Sequence, residues 1–161
     1  MRCVQQKGLL KLWERLCGTD QIPQFSSLPL DDFKRSIDKI MLCDVEHTKD
    51  GLRFRIAYHG DQFERMHNSK CVGKYLDGVI APAVRTQALK SYAEVTIKRQ
   101  PAFSVSDVRK DDGPIIRYER LLLPFSRKGP FVQRIVCMVT LFSEENGFAF
   151  SDISAERLES V

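Results

Sequence analysis

The chain has 161 residues, 43% of them hydrophobic and 29% charged, with 9 Gly and 7 Pro. That length supports one domain able to bury about 70% of its unfolded surface without a metal or disulfide staple, and the composition excludes collagen-like, low-complexity and disordered chains. The net charge of +4 is too small for a dedicated nucleic-acid arm, and every apolar run is too short to span a bilayer.

Met1-Arg2-Cys3-Val4-Gln5-Gln6-Lys7 opens the chain with no apolar stretch or cleavage site behind it, so no secretory signal is expected and the expected location is cytoplasmic. Leu9, Leu12, Trp13 and Leu16 then fall at i, i+3, i+4 and i+7, with Leu10 and Cys17 widening the stripe. They predict an amphipathic helix stopped by Gly18. Its apolar arc is broader than a helix lying alone on a sheet requires. Leu9, Leu12, Trp13 and Leu16 are therefore expected at a homodimer interface, the alternative being that the helix caps its own sheet. After a polar stretch with Pro23 and Pro29, Asp31 or Asp32 is placed to cap a short helix carrying Phe33, Ile37, Ile40 and Met41 on one face.

Leu42 to His47 and Leu52 to Tyr58 read as two strands joined by Thr48-Lys49-Asp50-Gly51. Strict alternation puts Phe54, Ile56 and Tyr58 on one face of the second strand, and Gly60 breaks the run. Residues from about Asp61 to Asp77 read as short helical turns and loop, with Phe63 and Met66 pointing inward. The main helix follows Pro82. Ala81, Val84, Ala88, Tyr92 and Val95 share a narrow arc whose small residues permit close approach to a sheet, and Pro101 ends the segment.

Three more strands are expected at Phe103–Arg109, Ile115–Phe125 and Phe131–Phe142. Asp111-Asp112-Gly113-Pro114 and Ser126-Arg127-Lys128-Gly129-Pro130 join them into an antiparallel meander. Apolar residues on both faces around Ile135, Val136, Met138, Val139 and Leu141 make the last strand central. The tail after Ser143 is polar, with one weak helical turn near Ser154 to Leu158. The expected division is an N-terminal helical segment at 1–41, a core at 42–143 and a C-terminal tail at 144–161.

Cys3, Cys17, Cys43, Cys71 and Cys137 are odd in number and widely spaced, without a CxxC pair. They read as reduced thiols, and His67 with Cys71 at i,i+4 is too few ligands for zinc, so no metal site is expected. The sequence has no GxSxG, HExxH, P-loop or GxGxxG motif, so no enzyme activity is expected. His47, His59 and His67 are the general-base candidates, and a small-molecule-processing α+β enzyme using a pocket His is the alternative function. Lys98-Arg99, Arg109-Lys110 and Arg127-Lys128 sit at element ends beside acidic residues, which reads as solvated surface rather than a nucleic-acid site.

Helix, two strands, small helices, long helix and three strands is the element order of a PAS domain. The chain resembles a family of small alphaproteobacterial proteins in which one PAS domain fills most of the chain. The resemblance runs from about Leu9 to Phe142. It is carried by Leu12-Trp13-Glu14-Arg15-Leu16, Phe54-Arg55-Ile56-Ala57, Val72-Gly73-Lys74-Tyr75-Leu76, Arg99-Gln100-Pro101 and Tyr118-Glu119-Arg120-Leu121-Leu122-Leu123-Pro124-Phe125-Ser126. It implies an α+β fold: a five-stranded antiparallel sheet, one main helix and short helices on one face, and the N-terminal amphipathic helix outside.

The resemblance further implies a sensory or protein-interaction module in bacterial signal transduction, without its own effector domain, acting on a separate signalling protein. Membrane and nucleic-acid partners are not expected. A small ligand would lie between the main helix and the sheet, among Phe54, Ile56, Tyr58, Phe63, Met66, Leu76, Val84, Ala88, Tyr92, Phe103, Val105, Tyr118 and Val139; the alternative is that these residues are plain core. Tyr58, Tyr92, Arg117 and Tyr118 are the polar side chains to watch. The family often has Gly directly after the second strand's Arg-aliphatic-aliphatic run, where this chain has Tyr58 and His59 before Gly60. A Tyr58 facing the cavity would shrink it. No cofactor is expected. Haem is disfavoured because residues 82–98 contain no His. Flavin photochemistry is disfavoured because Gly73 stands where the reactive Cys of an Asn-Cys-Arg-Phe-Leu-like motif would be, two positions after Cys71.

Overall fold

The computed structural model describes residues 1–18, 22–67, 69–109, 115–142 and 156–160. Its helices are α1 (Val4–Cys17), α2 (Asp61–His67), α3 (Leu76–Val79) and α4 (Pro82–Lys98). Its strands are β1 (Ile40–Thr48), β2 (Gly51–His59), β3 (Ala102–Arg109), β4 (Ile115–Phe125), β5 (Arg134–Leu141) and β6 (Glu156–Ser160). They form one sheet in the order β2-β1-β5-β4-β3-β6, every neighbouring pair antiparallel. The five expected strands and the central position of β5 are all present. The Asp111–Pro114 turn and the Arg117 side chain lie outside the described residues.

The tail departs from expectation. Glu156–Ser160 is a strand paired with β3, from Val108↔Glu156 to Ser104↔Ser160, rather than part of a helical turn. An isolated turn pays a nucleation cost, whereas the edge of β3 offers a ready row of backbone donors and acceptors.

Local sequence explains the other differences. Leu30–Lys39 winds as a 3-10 helix after Pro29, without a side-chain cap from Asp31 or Asp32. Its three-residue repeat buries Phe33 and Ser36 and leaves Ile37 exposed, and Ile40 and Met41 already belong to β1. The last meander strand starts at Arg134 rather than Phe131. The Gln133 Oε1 accepts from the Arg127 and Lys128 N–H groups at 2.9 and 2.7 Å, extending the turn and leaving Phe131 exposed.

The core lies on both sides of the sheet. On one side α4 presents Val84, Ala88, Tyr92 and Val95, all buried, after Pro82 opens the helix at a position where its missing N–H costs nothing. On the other side α1 buries Gln6, Leu9 and Trp13. The Gln6 Nε2 donates to the carbonyls of Glu119 and Met138 at 3.0 Å each, tying α1 to β4 and β5. Leu9 and Trp13 are thereby committed to the chain's own sheet, and Leu12 and Leu16 are only half-buried.

Candidate functional site

A cavity of about 30 Å³ lies between α4 and the sheet. It exceeds the ~10–15 Å³ that one water requires and falls far below the ~300–1,000 Å³ of a drug-sized site. Its walls are Met41 from β1, Phe63 and His67 from α2, Leu76 from α3, Ile80, and Val84, Gln87, Ala88 and Tyr92 from α4. Tyr118 and Arg120 from β4 and Cys137 and Val139 from β5 complete it.

Strand phase decides which residues reach it. Arg120 pairs with Val139 and Leu122 with Cys137, so Tyr118, Arg120, Cys137 and Val139 share one face. The expected Phe63, Leu76, Val84, Ala88, Tyr92, Tyr118 and Val139 do line the cavity. Phe54, Ile56 and Met66 are buried beside it without lining it. Phe54 packs on Tyr92 with ring centroids 5.3 Å apart.

Tyr58, Phe103 and Val105 are corrections. In β2, Ile56 pairs with Cys43 and Tyr58 with Leu42, so Ala57 is an extra residue in a β-bulge. The bulge turns Tyr58 to the opposite face, where its hydroxyl donates to the Ile37 carbonyl at 3.4 Å. Tyr58 therefore does not shrink the cavity. In β3, Phe103 pairs with Leu121 and Val105 with Glu119, which places both on the α1 side. The cavity side of β3 carries Ser104 and Ser106 instead, opposite Arg120 and Tyr118.

Met41, Ile80, Gln87, Arg120 and Cys137 were not anticipated as lining, and His67 was named only as a pocket base for the enzyme alternative. Arg120 had a signal, since it lies two residues after Tyr118 on a strand and must share its face. It is only 9% exposed. Its Nη2 donates to the Ser91 Oγ at 3.3 Å, and that hydroxyl donates to the Gln87 carbonyl at 3.1 Å. The Arg120 Nε is buried with no hydrogen-bond partner, as is the Ser106 Oγ on the same face. Among the described residues Arg120 forms no ion pair with a carboxylate.

In the walls, Cys137, Tyr92 and His67 are held neutral. Burial pushes the Cys137 thiol up to about 11, and burial followed by the neighbouring Cys137 and Cys43 raises the Tyr92 hydroxyl well above its ordinary value. Burial, then the nearby His59, lowers His67 to about 4. The His59 Nε2 accepts the Cys71 N–H at 2.9 Å, which leaves the ring proton on Nδ1, 3.2 Å from the Gly60 carbonyl.

The segment leading into α3 is fastened to β2. The Ile56 N–H donates to the Lys74 carbonyl at 2.9 Å, and the Gly73 N–H donates to the Ile56 carbonyl at 2.8 Å, covering part of the sheet edge. The Tyr75 hydroxyl donates to Glu46 at 2.8 Å beside the 2.7 Å Arg55–Glu46 pair, and these two contacts, Arg55 first, hold the Glu46 carboxyl below its ordinary value.

An antiparallel sheet, a long helix across one face and a cavity between them define an α+β domain built around an internal site. No family model and no curated protein matches the chain. Among solved structures it is similar to a light-oxygen-voltage domain studied with a flavin analogue, at TM-score 0.52 and 14% identity over 74% of this chain and 88% of that one. It is similar to the PAS domain of Bordetella pertussis BvgS at TM-score 0.52 and 18% identity over 72% and 88%. The Vibrio cholerae VqmA dimer gives TM-score 0.51 and 12% identity over 73% of this chain and 52% of that one. The fold is that of a PAS domain.

Proposed function

We propose that this chain is a sensory PAS module. A small molecule occupies the cavity between α4 and the sheet, and its presence is passed to a separate signalling protein. The observation that supports this is the cavity itself, at the centre of a core that close packing would otherwise fill. Two of the strands that wall it, β4 and β5, hold α1 on their reverse face through Gln6. A ligand that binds one packing of α4 better than another shifts the population of that packing, and α1 is the element placed to carry the shift outward. The α1 surface around Leu12 and Leu16 is the proposed contact between two copies of the chain.

The residues do not fit a flavin. The cavity is an order of magnitude too small for a three-ring ligand, and the Cys71 thiol is engaged with Ser69, its sulfur donating to the Ser69 carbonyl at 3.4 Å. An enzyme working through a pocket His is the weaker reading. His67 is in the wall, but lowered to about 4 it is a poor proton acceptor at neutral pH.

Native mass spectrometry of freshly purified protein tests the proposal, because it reports bound mass and subunit count together. The wild type should carry a small bound mass that Ala88→Leu, which fills the cavity, loses. A wild type without such a mass, identical in this respect to Ala88→Leu, would contradict it.

A further inference from the structure

Arg120 is the one cationic side chain among the described residues that line the cavity, since His67 is neutral there. It is nine-tenths buried. A buried guanidinium ordinarily sits beside a carboxylate, because a cation removed from water needs an anion and hydrogen bonds to compensate for its lost hydration. No carboxylate of the described residues plays that part. Glu119, the adjacent acid, points to the other face, where its carboxylate accepts the Arg2 and Cys3 N–H groups. Among the described residues Arg120 is left with one neutral contact, to Ser91, and a buried Nε with no partner.

Taking the cavity as a ligand site, as proposed above, we infer that it selects a small carboxylate, with the Nε–Nη2 edge of Arg120 as its anchor. That edge presents two parallel N–H donors at the spacing of a carboxylate's two oxygens. Nη2 carries two N–H groups and spends one on Ser91, so one remains to pair with the unused Nε–H. The other walls suit the rest of such a molecule. Val84, Ala88, Leu76 and Val139 offer an apolar surface to a short hydrocarbon body. A doubly charged phosphate is disfavoured, because among the described residues one cation faces the cavity and the second charge would be buried unpaired. The volume limits the body to a few heavy atoms unless Gln87, exposed at the mouth, moves aside.

The test compares propionate with propionamide, which have nearly the same shape and differ in charge. Each is titrated at pH 7.5 into the wild type, Arg120→Met and Arg120→Lys, with binding followed by the backbone amide NMR shifts of β4, β5 and α4. Propionate should bind the wild type at least about tenfold more tightly than propionamide, the margin of one charge-assisted pair. The preference should vanish in Arg120→Met. In Arg120→Lys, which keeps the charge but loses the planar fork, it should fall several-fold, and this variant decides the matter should Arg120→Met not fold. Equal binding of the two probes, or an unchanged preference in the variants, overturns the carboxylate assignment while the cavity stands as a ligand site. Binding of neither probe at saturating concentration overturns both.

Discussion

The Trp13 indole Nε1 donates to the Pro124 carbonyl at 2.7 Å. Pairing between β3 and β4 ends at Ala102↔Leu122, so Pro124 lies beyond the last β3 partner, where a residue without an N–H breaks no ladder. Its carbonyl would be an orphan buried acceptor had α1 not supplied the indole. Trp13→Phe keeps most of the buried area and strands that carbonyl. The expected cost is about 1–3 kcal/mol of stability, measured by urea unfolding followed by circular dichroism. Trp13 is also the single tryptophan, so in the wild type a red shift of its emission reports undocking of α1.

Gly60 connects β2 to α2 with its N–H on the Ile40 carbonyl at 2.9 Å. A Cβ there would overlap the Ile37 carbonyl and the Asp38 backbone, none of which can move as a flexible side chain can. Gly60→Ala should destabilise the fold by about 2–4 kcal/mol, whereas Gly8→Ala, which meets nothing within 4 Å, should be neutral or slightly stabilising. Thermal unfolding of the two variants side by side checks the contrast.

His67 makes stability depend on pH. Its folded-state value of about 4 lies below the ordinary 6.5, so the unfolded chain takes up the proton first as pH falls. Its contribution is therefore fully present above pH 6.5, declines between about 6.5 and 4, and changes no further below that. Urea midpoints measured from pH 7.5 to 4.5 should fall for the wild type, and His67→Gln should flatten part of that slope. An identical slope in both proteins would show that other groups carry it.

With Leu9 and Trp13 packed on their own sheet, any contact between two copies through α1 must use its outer side. Leu12→Glu should leave the fold intact and, in sedimentation velocity, convert a dimeric wild type into a monomer. A wild type that sediments as a monomer at high micromolar concentration would remove the dimer from the account.

Much of the architecture is legible in the chain. The Val84, Ala88, Tyr92 and Val95 spacing places α4, and alternation with short Gly- and Pro-bearing connections places the strands. What escapes is phase. The Ala57 bulge carries no compositional mark, so strict alternation sends Tyr58 to the wrong face. In β3 the large Phe103 and Val105 attract a cavity assignment, yet the register gives that side to Ser104 and Ser106. Arg120 escapes for another reason: a charged residue reads as surface unless its strand is known to be covered on both sides.

Amide hydrogen exchange across the cavity reports whether a ligand enters between α4 and the sheet. Saturating the protein with propionate should slow exchange in Val84–Val95 of α4 and in the segments of β4 and β5 around Arg120 and Val139, and the effect should disappear in Ala88→Leu. Protection confined to the surface, or unchanged protection of α4 at saturation, would contradict a ligand site between helix and sheet.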